Sequence, residues 1–153
     1  MNYELYMSAA LAEARAGAAR GERADGAVAV KDEAMVARGQ DQVVASGDPT
    51  AHAVIVAVRE ASRRLGTPSL RGLTIFCAVE PCAMCVGALL QSDADALVYA
   101  MTDPAEGAAG TVIQLARSDS LPRRLLVVSG ILQGDAADLQ RRFAVAGGTG
   151  GGR

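Results

Sequence analysis

Aromatic residues are scarce in this chain of 153 residues: tryptophan is absent, and tyrosine and phenylalanine bring the aromatic share to only 3%. Half of the residues are hydrophobic nonetheless, and alanine, valine and leucine supply most of them. Small aliphatic side chains of this kind suit close packing of helices on a sheet. The chain length predicts a single domain whose core is large enough to fold without disulfide or metal support.

The chain also lacks an excess of positive charge and a long hydrophobic run. Its formal net charge is -2 and its isoelectric point is near 5.4, whereas proteins that make many phosphate contacts usually carry a basic surface. Large nucleic-acid partners such as tRNA are therefore disfavoured. No run of 18 apolar residues is present, and the first residues lack the layout of a signal peptide. We expect no membrane contact and a cytoplasmic location.

Cysteine and histidine are few. The three cysteines, an odd number, fit a disulfide framework poorly, and His52 is the single histidine. Each has an ordinary interpretation when taken alone. A lone histidine is more often solvated than a ligand, a Cys-x-x-Cys pair can be redox-active, and Cys77 reads as a small buried hydrophobic residue. Only the positions of His52 and the cysteines relative to the predicted helices and strands, taken together, indicate a metal site.

Hydrophobic periodicity and turn residues predict alternating helices and strands. The order predicts an α/β protein, a three-layer α/β/α sandwich around a mixed sheet of about five strands. We expect one domain over residues 1–145 and a flexible glycine-rich tail over 146–153. The predicted elements are a helix over 2–20, a hairpin of strands 27–30 and 35–37, a loop over 39–50, a helix capped by Thr50 and closed at Gly66, a strand over 73–79, a helix opened by Pro81, a strand over 96–100, a loop over 103–110, a short helix over 111–117, a strand over 125–128 and a helix over 135–143.

Three candidate metal ligands lie at the predicted starts of two helices. His52 lies in the first turn of one helix, and Cys82 and Cys85, three residues apart after Pro81, share one face of the next. An ordinary crossover through the strand over 73–79 would start both helices at the same edge of the sheet. Helix N-termini favour thiolates, and one imidazole with two thiolates suits zinc. Three protein ligands leave one position open for water, as in catalytic sites. The pattern predicts one zinc ion per chain.

Two motifs carry a resemblance to a known family. His52-Ala53-Val54 and Pro81-Cys82-Ala83-Met84-Cys85 resemble the H-x-E and P-C-x-x-C signature of zinc-dependent nucleobase deaminases. Residues 48–60 and 80–89 look like the bacterial tRNA adenosine deaminase and guanine deaminase branch of the cytidine/deoxycytidylate deaminase superfamily, and residues 107–111 are more similar to the tRNA side. The resemblance implies a cytidine deaminase-like fold, a homodimer, and hydrolytic deamination of a nucleobase, nucleoside or related aminated heterocycle with release of ammonia.

Val54 occupies the position at which this family carries the glutamate that moves protons from water to the ring and the leaving group. Valine neither accepts nor donates a proton, and such groups are worth ~10²–10⁴ in rate, so the chain is predicted to be inactive or severely impaired. Neither nearby glutamate is expected to replace the missing proton shuttle. Glu60 lies two helical turns from His52, roughly 12 Å away, and the residue at the position of Glu80 is not the proton shuttle in the family. Val54 fits a natural pseudoenzyme or an engineered substitution, and the otherwise intact motif favours the second.

Further positions are predicted to contact water or substrate. The resemblance implies that backbone amides near Pro81 and Cys82 position the attacking water, and it makes Ala53 and the loop over 103–111 candidate substrate contacts. Asp41 stands where the family usually carries an asparagine that binds the base. An ionised aspartate only accepts hydrogen bonds. Asp41 therefore indicates a substrate with N–H groups or an altered substrate, and a solvated loop residue is equally consistent with the sequence.

The C-terminal end bears on the choice of substrate. Relatives that act on tRNA carry a basic final helix and tail, whereas Arg141 and Arg142 are followed here by a glycine-rich run. Together with the acidic balance, this favours a free base, nucleoside or small heterocycle. The alternatives are a tRNA adenosine-to-inosine deaminase, a natural zinc-binding pseudoenzyme that binds a ligand or partner subunit, and, more distantly, a redox protein using Cys82 and Cys85.

Overall fold

The computed structural model, which describes residues 1–147, has five strands in one mixed sheet with helices on both faces. The strands are β1 (Gly26–Lys31), β2 (Ala34–Gln40), β3 (Thr74–Val79), β4 (Ala96–Met101) and β5 (Leu126–Ser129), and the helices are α1 (Tyr3–Ala19), α2 (Val43–Ser46), α3 (Ala53–Leu65), α4 (Ala83–Gln91) and α5 (Gln133–Gly147). The sheet order is β2-β1-β3-β4-β5. β1 runs antiparallel to β2 and β3, whereas β3, β4 and β5 are parallel. The predicted α/β/α sandwich is confirmed.

Two apolar layers hold the helices to the sheet. The layer beneath α3 and α4 contains Ile75, Leu89 and Leu97, and the layer beneath α1 and α5 contains Met7 and Phe76. Alternate side chains of β3 enter opposite layers, as expected for a strand covered on both faces. The small aliphatic side chains therefore fill two thin, closely packed layers between the helices and the sheet.

Gly39 in β2 brings α3 close to the sheet. A Cβ atom at this position would lie 2.5 Å from the carbonyl oxygen of Ala53 and 2.8 Å from the backbone nitrogen of Ala57. Only glycine permits this approach, because neither contacting atom belongs to a flexible side chain. The first turn of α3 is thereby fixed against β2.

Two predicted helix starts are wrong by a few residues. α3 begins at Ala53 with His52 as its N-cap, whereas the N–H and hydroxyl of Thr50 both donate to Asp48 at 2.8 and 2.7 Å and do not cap the helix. α4 begins at Ala83 with Cys82 as its N-cap. Pro81 therefore precedes the helix instead of opening it.

The remaining differences lie in loops and at the C-terminal end. The short helix α2 lies within the predicted loop over 39–50, and residues 111–117 form turns, with a bridge between Ala109 and Gln114, instead of a helix. α5 extends further in both directions than the predicted 135–143. The predicted tail over 146–153 lies outside the described residues beyond Gly147. None of the helices that the structure describes combines the length and the hydropathy that a membrane-spanning segment needs.

Candidate metal centre

The first turns of α3 and α4 meet where β3 ends. β3 leads directly through Glu80 and Pro81 into α4, and α3, which precedes β3 in the chain, begins at the same edge of the sheet. His52 and Cys82 are the N-cap residues of these two helices, both with extended backbone, and neither side chain makes a capping hydrogen bond. The imidazole and the thiol are therefore available to a ligand at the helix N-termini.

The three predicted ligands are brought together at zinc spacing. Nδ1 of His52 lies 3.6 Å from Sγ of Cys82 and 3.6 Å from Sγ of Cys85, and all three ligand atoms lie within 4.8 Å of one another. Tetrahedral zinc, with bonds of about 2.3 Å to sulfur and about 2.0 Å to nitrogen, separates the two ligand types by about 3.5 Å. Among the described residues, no further cysteine or carboxylate joins these three ligands. The donor set fits a three-ligand zinc site with one open position.

The two thiols strongly perturb each other. The pKa of Cys82 is lowered to about 5, chiefly by the hydrogen bond with the Cys85 side chain and against the opposing effect of burial; the backbone N–H groups of Cys85 and Met84 and the charge of His52 contribute to this decrease. The same pairing, followed by burial, raises the pKa of Cys85 well above its usual range. By themselves the two sulfurs favour one thiolate and one thiol. A dication between them favours two thiolates, so metal binding releases a proton.

Val54 offers no proton-transfer group at the site. Its side chain is 1% exposed and belongs to the apolar cluster that also contains Cys85 and Tyr99. Glu60, the other carboxyl group considered on α3, is bound to Arg63 and Arg64, and these hydrogen bonds lower the pKa of Glu60 to about 2. Neither residue presents a titrating carboxyl group to the zinc ligands.

Asp41 is buried at the edge of the sheet and is not a solvated loop residue. It follows β2 directly and is 1% exposed. Its Oδ1 accepts a hydrogen bond from the backbone N–H of Val43 at 3.2 Å, and its own N–H donates to the carbonyl oxygen of Asp25 at 3.4 Å. Ala53, also predicted as a substrate contact, is fully buried in the first turn of α3.

Glu80 organises the loop over 103–111, a role that the sequence reasoning missed. Its carboxylate is 2% exposed and accepts hydrogen bonds from the backbone N–H groups of Asp103, Ala109 and Thr111 at 3.2, 3.0 and 3.1 Å, and from the Thr111 hydroxyl at 2.5 Å. A Cβ at Gly107 would lie 2.5 Å from this carboxylate. In the sequence, the position of Glu80 directly before Pro81 is the feature that could have indicated this role.

Two more charged side chains, Glu22, which is buried, and Arg23, which is partly buried, anchor loops around the site. Glu22 accepts hydrogen bonds from the backbone N–H groups of Val44 and Ala45 at 2.9 and 2.7 Å and thereby holds α2. Arg23 forms an ion pair of 2.9 Å with Asp103. Glu22 and Arg23 both lie in the polar segment between α1 and β1, which the sequence pattern predicts only as a connection.

Comparison with known proteins agrees with the fold and with a zinc-binding domain. A family model describing the cytidine and deoxycytidylate deaminase zinc-binding region matches residues 1–101. A tRNA-specific adenosine deaminase of Bacillus subtilis is 34% identical over 140 residues, which cover 92% of this chain and 87% of the relative. A guanine deaminase of the same organism is 41% identical over 109 residues, which cover 69% of this chain and 70% of the relative.

A solved structure from work on tRNA deaminases that edit A to I at the wobble position superimposes with a TM-score of 0.85 at 32% identity, covering 88% of this chain and 97% of that one. The predicted cytidine deaminase-like fold and the predicted zinc cofactor are thus confirmed. The chain belongs to the cytidine and deoxycytidylate deaminase family.

Proposed function

We propose that this chain is a zinc-dependent hydrolytic deaminase of a nucleobase, nucleoside or related aminated heterocycle, which Val54 leaves inactive or severely impaired. The observation that carries the proposal is the convergence of His52, Cys82 and Cys85 at zinc spacing, with valine where the family's proton shuttle stands. When bound, zinc supplies a Lewis acid that activates water for attack on the amine-bearing ring carbon.

The residues of the site have separate tasks in this proposal. His52, Cys82 and Cys85 hold the ion, and the backbone amides near Pro81 and Cys82 position the attacking water. Ala53, at the start of α3, and Asp41, at the end of β2, contact the substrate ring. The buried anchor Glu80 supports this arrangement because it fixes the loop over 103–111 beside the start of α4.

Val54 removes proton transfer while leaving the rest of the site intact. A valine methyl group cannot take a proton from water or deliver one to the ring nitrogen or the leaving amine, which are the steps assigned to the family's glutamate. Glu60 is the one carboxyl group in α3, and it is paired with Arg63 and Arg64. We expect substrate binding to survive and turnover to be lost.

The substrate class follows from charge and from the relatives. One relative is a guanine deaminase and another a tRNA-specific adenosine deaminase. The net charge of -2 favours a free base, nucleoside or small heterocycle over tRNA. The tRNA-specific relative matches 92% of this chain, against 69% for the guanine deaminase, and this wider coverage favours the alternative, a tRNA adenosine-to-inosine deaminase.

A second candidate is a zinc-binding pseudoenzyme that serves as a ligand-binding or partner subunit. The close packing of Val54 in the apolar layer favours it, because the residue suits its surroundings as part of a stable core. Under either function we propose a homodimer, as the family resemblance implies. We also propose a cytoplasmic location, because free metal-binding thiols persist in a reducing compartment.

The experiment is a paired assay of the chain as given and of the Val54→Glu variant, with Val54→Gln as a matched control that has the shape of glutamate without its proton chemistry. Ammonia release is scored against bases, nucleosides and a tRNA anticodon stem, and zinc content is measured on every form. Activity only in Val54→Glu supports a deaminase disabled at one residue. Silence in all three forms at one zinc per chain favours the pseudoenzyme.

A further inference from the structure

Asp25 is a buried carboxyl group at the same edge and face of the sheet as the metal ligands, and the proposed mechanism does not use it. Ala27 of β1 pairs with Cys77 of β3, so Asp25, two residues earlier, lies beside the end of β3 that leads to Pro81. Because side chains alternate along a strand, Asp25 shares the face of Ala27, which packs in the layer beneath α3 and α4.

Backbone hydrogen bonds fix the Asp25 carboxylate through one oxygen only. Oδ1 accepts from the N–H groups of Gly26 at 2.9 Å and Val79 at 3.2 Å. Among the side chains that the structure describes, none donates a hydrogen bond to Oδ2. The residue as a whole is only 7% exposed. One oxygen of the carboxylate is therefore held in place by the backbone, and the other is an acceptor that no described residue uses.

The charges around Asp25 leave this edge rich in acceptors. Asp41 is a second buried carboxylate, and its backbone N–H donates to the Asp25 carbonyl oxygen at 3.4 Å. Arg23 lies near both, but its guanidinium is paired with Asp103 at 2.9 Å. Burial raises the pKa of Asp25 to about 6 in spite of Arg23, and Asp41 adds to the increase. Near neutral pH the group is mostly ionised and can only accept hydrogen bonds.

We propose that Asp25 determines substrate specificity by accepting hydrogen bonds, through Oδ2, from N–H groups on the ring edge away from the leaving amine. The ligand class is an aminated heterocycle that carries a second amine or a ring N–H on that edge. This inference rests on the proposed function, because it takes the space beside the zinc ligands as the heterocycle pocket. A ring edge made only of acceptors would leave Oδ2 of Asp25 desolvated and without a hydrogen bond, and sites of this kind discriminate strongly.

The test is isothermal titration of the zinc-loaded chain as given with two matched pairs of ligands, adenine against 2,6-diaminopurine and 4-aminopyrimidine against 2,4-diaminopyrimidine. Members of each pair differ by one amino group. Hydrogen bonds to a charged acceptor predict about tenfold or more tighter binding of the diamino member in at least one pair. Because Asp25→Asn keeps the shape and an acceptor for Gly26 and Val79, it should bring that ratio near one.

Asp95→Asn is the control, because Asp95 also accepts a backbone N–H, that of Gly72 at 2.9 Å, but lies at the opposite edge of the sheet. It should leave the ratio unchanged. Equal binding of both members of each pair to the unmodified chain overturns the inference even if Asp25→Asn fails to fold. A ratio that survives Asp25→Asn at full zinc content also overturns it, and in both cases the deaminase proposal stands. If neither the chain as given nor Val54→Glu binds any of the four ligands, the proposed function itself fails.

Discussion

Replacing Glu80 by glutamine should loosen the loop over 103–111 without removing the metal. The carboxylate is buried and accepts three backbone N–H groups and one hydroxyl, with Asp103 on Oε1 and Ala109 on Oε2. Glutamine has a single acceptor oxygen. If this oxygen stays with Ala109 and Thr111, the amide NH₂ faces the N–H of Asp103, and one buried donor is left without a partner.

The magnitude follows from these contacts. One buried, unsatisfied N–H costs about 1–3 kcal/mol, and the loss of a charged acceptor weakens the surviving bonds, so Glu80→Gln should lower the free energy of unfolding by about 2–4 kcal/mol. Thr111→Val is the matched control. It removes only the hydroxyl bond and retains the Thr111 N–H, and should cost about 1 kcal/mol. Both variants should remain folded, because domains of this size have about 5–15 kcal/mol of stability.

Denaturant unfolding measures the global change, and amide hydrogen exchange measures the local one. In Glu80→Gln, exchange of the Asp103, Ala109 and Thr111 amides should accelerate more than exchange in β3. Zinc content should stay at one ion per chain, because Glu80 is not one of the three metal ligands and its carboxylate binds the loop over 103–111. Unchanged stability together with unchanged exchange of the Asp103 amide would refute the role assigned to Glu80.

Three more predictions concern the metal, a titrating group and a close contact. Cys85→Ser should abolish stoichiometric zinc in elemental analysis, whereas Cys77→Ala, outside the ligand group, should retain it. The folded-state pKa of Asp25, raised to about 6 from 3.8, means that the native state binds more protons between these pH values. Stability should therefore fall by on the order of 3 kcal/mol as pH rises from about 4 to 7, and a titration of unfolding free energy that shows the same slope in Asp25→Asn would contradict this. Gly39→Ala should destabilise the protein by more than about 2 kcal/mol because its Cβ meets the backbone of α3, whereas Gly134→Ala, in open space in α5, should be neutral or stabilising in the same melting assay.

The parts of the fold that follow from local patterns could be predicted from the sequence. The buried strands β3 and β4 and the amphipathic α3 carry strong periodic signals, and their alternation predicts the layered sheet. The metal ligands could be predicted as well, because their separation in the chain equals one helix and one strand of a crossover. The metal site could therefore be predicted from helix and strand patterns that are local in the sequence and from one ordinary crossover connection.

The errors arise where non-local contacts override local propensity. Thr50 has the chemistry of a helix cap, but Asp48 takes both of its donors, and His52 becomes the N-cap. Residues 111–117 do not form the predicted helix because Glu80 and the bridge between Ala109 and Gln114 shape the adjoining loop.

The buried carboxyl groups were harder to predict for the same reason. Asp25 stands in a polar stretch typical of a surface turn, and only the pairing of β1 with β3 buries it beside Val79. The role of Glu80 likewise depends on a loop more than twenty residues away in the chain.

The most direct test of the central claim is the ratio of kcat/KM between Val54→Glu and the chain as given, on the substrate that the ammonia panel identifies and at equal zinc content. The loss of a general acid-base group predicts a ratio of ~10²–10⁴ or more, with Val54→Gln close to the chain as given. A ratio below about 10, with one zinc bound in each form, would contradict the claim that this chain is a deaminase disabled at a single residue.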